Sequence, residues 1–312
     1  MVEHPRDSTT RYARRLLYVL MHVQKGADGK WRIAAESATE LTCPENADTL
    51  PAASLVADMD EAGVAHGVVA ALGYHFAKGP ETPGELALVQ AENDWTVKQV
   101  AQFPDRLVVF CGVNPLRDYA ITEMDRCAKM SPVRGMKLHF GDRVDLKNPE
   151  HIEKLRHFFR AANERRMPLL VHLYTDASYG GAAARTFLDQ VVPVAADIPI
   201  QLAHVAGGGP FSIKGADDAL KVFADAAAAG NPLMRNLYFD LTGVVHNTSP
   251  AVRDTLAHRL RTIGLHSILF GSDLPFPPLE PVGPAWIRFR KLMPLTDDEL
   301  RVIAGNVAPY AR

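Results

Sequence analysis

The sequence predicts an α/β fold, a (β/α)8 barrel of the TIM type that forms a single domain over residues 1–312. Two observations support this class. From residue 52 onward, short apolar runs alternate with longer amphipathic stretches at a spacing of roughly 30 to 40 residues, which is typical of repeated βα units. The apolar runs show no alternation with polar residues, as expected for parallel strands buried on both faces. Residues 1–51 are expected to hold an irregular first strand and excursion, and residues 52–312 the remainder of the barrel.

Eight apolar runs are predicted to be the strands of the barrel, at residues 16–23, 67–72, 107–113, 135–140, 168–173, 198–204, 237–241 and 267–270. Helices are predicted between them at residues 55–62, 85–102, 120–129, 152–165, 182–191, 217–229 and 251–263. In the fourth of these helices, Ile152, Leu155 and Phe159 recur at a helical period and mark one apolar face. Eight strands that alternate with helices favour a closed barrel over an open doubly wound sheet.

The composition is that of a globular protein, with 47% hydrophobic and 22% charged residues. A net charge of -2 gives no reason to expect nucleic acid or an anionic membrane as a partner, so we expect a small-molecule substrate. A homodimer is compatible with these values. The apolar run after Arg14 and Arg15 is too short for a signal peptide, and no run approaches the roughly 20 residues that a bilayer requires. We therefore expect a cytoplasmic protein.

The three cysteines carry no recognisable code. Cys43, Cys111 and Cys127 form no close pair and no Cys-x-x-Cys motif, so neither a disulfide framework nor a thiolate metal site is indicated. We expect reduced, mostly buried thiols.

Polar residues recur at the ends of the predicted strands. Lys137 and His139 lie in or at the end of one strand, and His172, His204 and Asp273 close or follow three others. Because the carboxyl ends of barrel strands converge on one face, these residues predict a single polar site. Two imidazoles and a carboxylate suit a divalent cation such as Zn2+, whose bound water becomes a nucleophile at neutral pH.

Each of these residues also has a simpler interpretation. A lone histidine in an apolar strand is as readily a packed core residue, although the repetition on four strands favours a site. Lys137 can hold a substrate carboxylate or polarise a carbonyl, or it can form a buried ion pair with a barrel carboxylate such as Asp240. A histidine that does not bind the metal can serve as general acid or base.

Several segments, taken in order, resemble the amidohydrolase-related family, also called amidohydrolase 2. They read VADMDEAGV at 56–64, FPDRL at 103–107, NP at 114–115, GMKLH at 135–139, LAHVAG at 202–207, LFGSDLP at 269–275 and LTDDEL at 295–300, with Asn306 after them. The resemblance covers about residues 52 to 312. It implies a TIM barrel and an activity among the family's metal-dependent decarboxylases, lactonases and other hydrolases.

The resemblance also implies roles for the strand-end residues. His172 would be a metal ligand, His204 would activate water or handle protons, and Asp273 would be both a metal ligand and a proton carrier. Lys137 and His139 are then expected to contact the substrate.

The family's first strand carries a His-x-His pair that is missing here. Residues 20–24 read LMHVQ, so only His22 is offered as a further metal ligand. Glutamine is a poor ligand for Zn2+ and leucine is none. Three explanations compete: a chain start that omits or alters the first strand, a weakened or different metal site, or a barrel without a metal.

Three functions follow from these observations. The first is a metal-dependent hydrolase in which a metal-activated water attacks a small carboxylate-bearing ester, lactone or amide, with zinc as the expected cofactor. The second is a lyase, a non-oxidative decarboxylase that removes CO2 from an aromatic or unsaturated acid on the same site. The third is a non-catalytic small-molecule-binding barrel, which the absent histidine pair suggests. Fold alone does not choose among them.

Overall fold

The computed structural model describes residues 23–25, 31–33, 52–141, 143–174, 179–273 and 281–311 of the chain, the first two ranges by their backbone alone. The strands β1 (Val23–Lys25) and β2 (Trp31–Ile33) pair antiparallel in a small sheet of their own. A second, parallel sheet contains β3 (Gly67–Ala70), β4 (Leu107–Gly112), β5 (Val133–His139), β6 (Leu169–His172), β7 (Ile200–Leu202), β8 (Leu237–Asp240) and β9 (Ile268–Leu269).

The order of strands in the parallel sheet identifies the architecture. Each strand from β3 to β9 is parallel to the next one along the chain and pairs with it. A doubly wound sheet would reverse its order at a switch point, whereas a barrel adds each strand beside the previous one. The seven strands curl with their helices as in a TIM barrel, and the predicted fold class is confirmed.

Helices follow the strands in the expected places. They are α1 (Ala52–Ala62), α2 (Glu85–Val100), α3 (Ala120–Cys127), α4 (Pro149–Glu164), α5 (Gly181–Thr186), α6 (Ala216–Ala228), α7 (Pro250–Ile263), α8 (Val282–Leu292) and α9 (Asp297–Gly305). The Ser249 side chain caps α7 by accepting a hydrogen bond from the N–H of Val252, as its position before a proline indicates. In α4, the predicted apolar face is buried at Leu155 and Phe159. None of the helices in these ranges is long and apolar enough to cross a membrane.

The C-terminal end of the chain fills part of the barrel interior. The last turn, Pro309–Ala311, follows α9. Tyr310 packs there with Phe110 of β4, Leu170 of β6 and Leu269 of β9, all of them buried. The rings of Phe110 and Tyr310 meet edge to face, with 4.8 Å between their centroids. These side chains form a small buried cluster against the strands of the barrel.

Some predicted boundaries differ from the observed ones. The predicted first strand at residues 16–23 lies outside the described residues, except for Val23, which begins the antiparallel strand β1. The strand predicted at 198–204 ends at Leu202, because the chain then enters a left-handed turn at His204 and Val205. The helices α8 and α9 were not among the predicted elements.

The prediction of reduced thiols is wrong for two of the three cysteines. The structure pairs Cys111 on β4 with Cys127 at the end of α3 as a disulfide, with 6.5 Å between their Cα atoms. The two lie 16 residues apart, so no local motif signals the bond. The βα unit brings the end of its helix back to its strand. Cys43 lies outside the described residues.

Candidate functional site

The ends of β5 and β6 bring three predicted site residues together. Lys137 and His139 lie two residues apart on β5, so both side chains point to the same side of the strand. His139 is the register partner of His172, the last residue of β6. Their imidazole rings stack in parallel, with 4.0 Å between centroids and 10° between planes.

The stack extends to an aromatic residue that the sequence analysis did not single out. The Tyr74 ring lies 5.2 Å from the His139 ring, centroid to centroid, at 17° between planes. Tyr74 belongs to the short 3-10 turn Gly73–Phe76 that follows β3. We call Tyr74, His139 and His172 the ring stack. It offers flat π surfaces at the carboxyl end of the barrel.

His204 and Asp273 form the second part of the site. His204 lies in the turn Ala203–Ala206 that follows β7. Its Nε2 is 3.9 Å from Oδ2 of Asp273. Its ring lies edge to face with that of His172, with 5.0 Å between centroids. The His204–Asp273 pair therefore adjoins the ring stack, so that His139, His172, His204 and Asp273 form one cluster of predicted residues.

The backbone is strained at this pair. His204 has a φ of 52°, and so does Asp273. Val205 and Ala206, which follow His204, also have positive φ angles of 48° and 66°. Residues with a Cβ rarely adopt this left-handed region, and such strain concentrates at functional sites. The positive φ angles therefore indicate that the backbone at these two strand ends is shaped by function rather than by stability.

Hydrogen bonding fixes the tautomer of neutral His204. Its Nδ1 lies 2.9 Å from the backbone carbonyl oxygen of Thr242. A carbonyl oxygen can only accept, so Nδ1 carries the proton and donates it. The Nε2 atom, which faces Asp273, therefore has its lone pair available to accept a proton.

Lys137 is a buried cation. Its side chain is 8% exposed. Burial lowers the pKa of Lys137, while the carboxylates of Asp273 and Asp240 act against that shift. Lys137 forms no direct ion pair with either carboxylate in the described ranges, so the ion pair with Asp240 that the sequence left open is not formed. Its amino group is left to interact with a bound anion.

The two stacked imidazoles are held neutral. Burial places the pKa of His139 and of His172 well below the usual value for an imidazole, and nearby positive charges such as Lys137 lower it further. Arg143 lies four residues beyond His139, with its Nη1 3.3 Å from His139 Nδ1. Because a guanidinium only donates, His139 accepts this hydrogen bond at Nδ1.

Asp273 lies at the rim of the cluster, with 36% of its side chain exposed. Burial of the rest raises the pKa of Asp273, and positive charge on the protonated form of His204 and on Lys137 acts against that shift. The carboxyl group therefore keeps its proton to a higher pH than an ordinary aspartate. Together with the free Nε2 of His204, it provides a donor and an acceptor of protons side by side.

Two of the three metal ligands predicted from the sequence lie among the residues that the structure describes. His172 and Asp273 are donors of the kind that divalent transition metals take. Within the ranges that the structure describes, no group of three or more His, Cys, Asp and Glu side chains is placed to hold a metal ion. The third predicted ligand, His22, lies outside them. The described residues thus include two of the three predicted ligands.

Sequence reasoning missed three residues near this cluster. Tyr74 and His75 follow the strand at 67–72, and the His75 ring lies 6.2 Å from that of His139. The rule that residues at strand ends carry function points to both, because they directly follow a predicted strand. Arg143, which is 9% exposed, gives no comparable signal.

The fold and the cluster define a class of protein, a parallel α/β barrel with an ionisable site at the carboxyl ends of its strands. The family model for amidohydrolases matches residues 49–308. The chain therefore belongs to the amidohydrolase family. No curated protein sequence matches it.

Solved structures with the same fold include three aromatic-acid decarboxylases. The 5-carboxyvanillate decarboxylase of Sphingomonas paucimobilis is 18% identical, with a TM-score of 0.52 over 80% of this chain and 79% of that one. The 2,6-dihydroxybenzoate decarboxylase from Rhizobium is 16% identical, with a TM-score of 0.54 over 84% and 86%. The dihydroxybenzoic acid decarboxylase of Polaromonas, solved with manganese and the inhibitor 2-nitroresorcinol, is 16% identical, with a TM-score of 0.52 over 85% and 84%. At these identities the likeness shows the fold.

Proposed function

We propose that the protein is a non-oxidative decarboxylase of a planar aromatic or unsaturated acid. The reaction replaces the carboxylate by a proton, so that one acid anion and one proton give the decarboxylated product and CO2. The observation that carries the proposal is the ring stack of Tyr74, His139 and His172 beside the His204–Asp273 pair. The names of the three similar structures support the same chemistry.

The ring stack suits a flat substrate. Parallel π faces attract another planar ring in an offset stack, and such pairs contribute about 0.5–1.5 kcal/mol beyond the burial of area. His172 ends the stack on the side of His204. The rings of His172 and His204 meet edge to face there, so a flat substrate would lie alongside the stack, beside the His204–Asp273 pair.

Lys137 supplies the charge that an acid requires. A buried ammonium group without a direct ionic partner among the described residues is poorly solvated, and a substrate carboxylate compensates it. Burial of the carboxylate also removes it from water, which favours its conversion to neutral CO2. Lys137 thus orients the acid, and the surroundings favour the loss of its charge.

Asp273 and His204 handle the proton that the reaction consumes. Asp273 is proposed to pass it to the substrate carbon that bears the carboxylate, since its carboxyl group lies beside His204 at the end of the ring stack. Nε2 of His204 lies 3.9 Å from Asp273, and it can accept a proton from solvent and pass it to Asp273 after each turnover.

We further propose that a divalent metal ion binds at this end of the barrel. Its ligands would be His172, Asp273 and His22, the last from a part of the chain that the structure does not describe. When bound, the ion supplies positive charge beside the oxygen atoms of the substrate. Manganese in one similar structure supports a divalent ion without favouring zinc.

Hydrolysis of a carboxylate-bearing ester, lactone or amide is the second candidate. It is favoured by the free Nε2 of His204, which can accept a proton from water, and by membership of the amidohydrolase family. The site residues are the same as for decarboxylation. The two reactions differ in their products, because only decarboxylation releases CO2.

The test compares both chemistries on the full chain supplied with Mn2+ or Zn2+. The substrates are hydroxylated benzoates, with CO2 and the arene measured, and a panel of esters and lactones. We expect CO2 release that falls about 10²-fold or more in Asp273→Asn and in Lys137→Met. Lys154→Met, which removes a half-exposed lysine on α4, is the matched control and should keep full activity.

Two results would overturn the proposal. Ring opening of a lactone without any CO2 release from acids would identify a hydrolase. Tight binding of a benzoate by calorimetry, with no turnover of any substrate and no bound metal, would identify the non-catalytic barrel.

A further inference from the structure

A chain of hydrogen bonds crosses the barrel interior from the C-terminal turn to His204. Tyr310 donates to Oε1 of Gln201 on β7. Gln201 Nε2 donates in turn to Oδ2 of Asp240 on β8, over 2.7 Å. The second oxygen, Oδ1, accepts from the backbone N–H of His204 at 3.0 Å and from that of Thr242 at 3.2 Å. Both oxygens of a carboxylate that is only 5% exposed are therefore engaged.

We propose that Asp240 is a positioning residue that fixes the backbone and the tautomer of His204. Tyr310 is the remote group that holds Asp240 in place through Gln201. The last turn of the chain thereby controls the proton-handling group of the site. The kinetic consequence rests on the proposed function, whereas the effect on the tautomer does not.

Asp240 compensates for an unfavourable backbone. His204 has φ 52° and ψ 41°, a left-handed conformation that an L residue adopts only when its surroundings demand it. The parallel ladder pairs β7 with β8 only as far as Leu202 and Phe239. Beyond it, Asp240 Oδ1 takes the N–H of His204 and so continues the connection between the two strands with a side chain.

The same carboxylate sets the imidazole. Asp240 holds the N–H of Thr242, and the carbonyl of Thr242 accepts the proton of His204 Nδ1. The backbone and the ring of His204 thus depend on one acceptor group. Without it, the turn can relax and Nδ1 loses its carbonyl partner, so Nε2 no longer faces Asp273 as a fixed acceptor.

Tyr310 determines how Gln201 is oriented. Burial raises the pKa of Tyr310 well above the usual value for a phenol, so its hydroxyl stays protonated and donates. An ionised carboxylate only accepts, so the amide must present Nε2 to Asp240 and Oε1 to Tyr310. The two ends of the chain of hydrogen bonds therefore allow one amide orientation.

The tautomer can be measured without any substrate. Imidazole 15N shifts, recorded by long-range 1H–15N correlation on the full chain loaded with diamagnetic Zn2+, report which ring nitrogen is protonated. The chain has 12 histidines, so loss of a signal in His204→Gln assigns the resonance. We expect Nδ1 of His204 to be protonated in the wild type and largely unprotonated in Asp240→Ala.

Matched variants separate positioning from general loss of stability. Glu85→Ala removes another buried carboxylate, which binds Arg117, and should lower the melting temperature without moving the His204 signal. Asp240→Asn retains an acceptor oxygen and should restore most of the Nδ1–H form. Tyr238→Phe, at a neighbouring half-buried tyrosine, is the control for Tyr310→Phe.

The kinetic readout is a division between kcat and KM. Asp240→Ala should lower kcat for decarboxylation about 10²-fold with KM nearly unchanged, because the proton relay is displaced while the substrate contacts remain. Tyr310→Phe should lower kcat about 2- to 10-fold, the effect of one lost hydrogen bond. Tyr238→Phe should have no effect.

A folded Asp240→Ala protein in which Nδ1 stays protonated would overturn the proposal. If Asp240→Ala does not fold, Tyr310→Phe provides the test. A wild-type kcat together with an unchanged His204 signal in that variant would also overturn the proposal. If the wild type decarboxylates nothing, the proposed function fails, and the 15N shifts still test Asp240.

Discussion

Asn93 ties helix α2 to the strand beside Lys137, and its removal gives a stability change that can be worked out from the structure. The side chain is fully buried. Its Oδ1 accepts from the N–H of Gly112 over 2.8 Å, and its Nδ2 donates to Oε1 of Glu123 over 2.7 Å and to the carbonyl of Gly112 over 3.3 Å. Gly112 is the register partner of Lys137, so this contact supports the strand end next to the site.

Asn93→Ala should lower the free energy of unfolding by about 2.5–6 kcal/mol. The buried N–H of Gly112 loses this acceptor, at about 1–3 kcal/mol, and the carboxylate of Glu123 loses a charge-assisted bond of about 1.5–3 kcal/mol. This is a large part of the roughly 5–15 kcal/mol that stabilises a typical protein. The measurement is urea denaturation followed by circular dichroism, with the change taken from the midpoint at constant slope.

Two further variants test the reasoning. Asn163→Ala removes a similar pair of hydrogen bonds, to Asp197, but at the surface, and should cost less than about 1 kcal/mol. Asn93→Asp keeps the size of the side chain but sets a carboxylate against Glu123, and should be at least as destabilising as Asn93→Ala. If Asn93→Ala were no worse than Asn163→Ala, the burial of the hydrogen bonds would not be the cause.

Two other predictions concern a surface ion pair and the disulfide. The guanidinium of Arg261 lowers the pKa of Glu299 to about 2, so this pair stabilises the protein above the usual pKa of glutamate and loses that effect as the pH falls toward 2. Glu299→Gln should therefore unfold more easily than the wild type at pH 7, with a difference that vanishes near pH 2; a difference independent of pH would contradict this. Alkylation in denaturant without reductant should label Cys43 and leave Cys111 and Cys127 unlabelled, as read by mass spectrometry. Reduction should cost about 3 kcal/mol of stability for a loop of this size, and full labelling without reductant would exclude the bond.

The barrel could be predicted from the sequence because its signals are local and repeated. Each strand of the large sheet lies in an apolar run that is long enough to recognise in the sequence. The polar residues at the ends of those runs can be identified in the same way. The convergence of His139, His172, His204 and Asp273 then follows from topology, since parallel strands in chain order bring their carboxyl ends to one face. The positions of these residues could therefore be predicted from the fold alone, before any chemical role was assigned to them.

Other features of the site depend on contacts that no local pattern encodes. The left-handed turn at His204 exists because Asp240, 36 residues further along the chain, accepts its N–H. The part played by Tyr310 depends on the chain returning to the barrel interior after the last helix. Arg143 meets His139 only because the segment after β5 folds back over the strand end.

The strain at the site has a consequence for how its geometry is maintained. His204 and Asp273 both have left-handed backbones without being glycine, each at a cost of about 1 kcal/mol or more. Local preference would return both residues to extended conformations and would separate atoms that now lie 3.9 Å apart. The backbone of His204 is therefore held by neighbouring groups, above all by Asp240. Because Asp240 is itself held from the opposite end of the barrel, substitutions as remote as Tyr310→Phe should act on the proton-handling pair before they affect the fold.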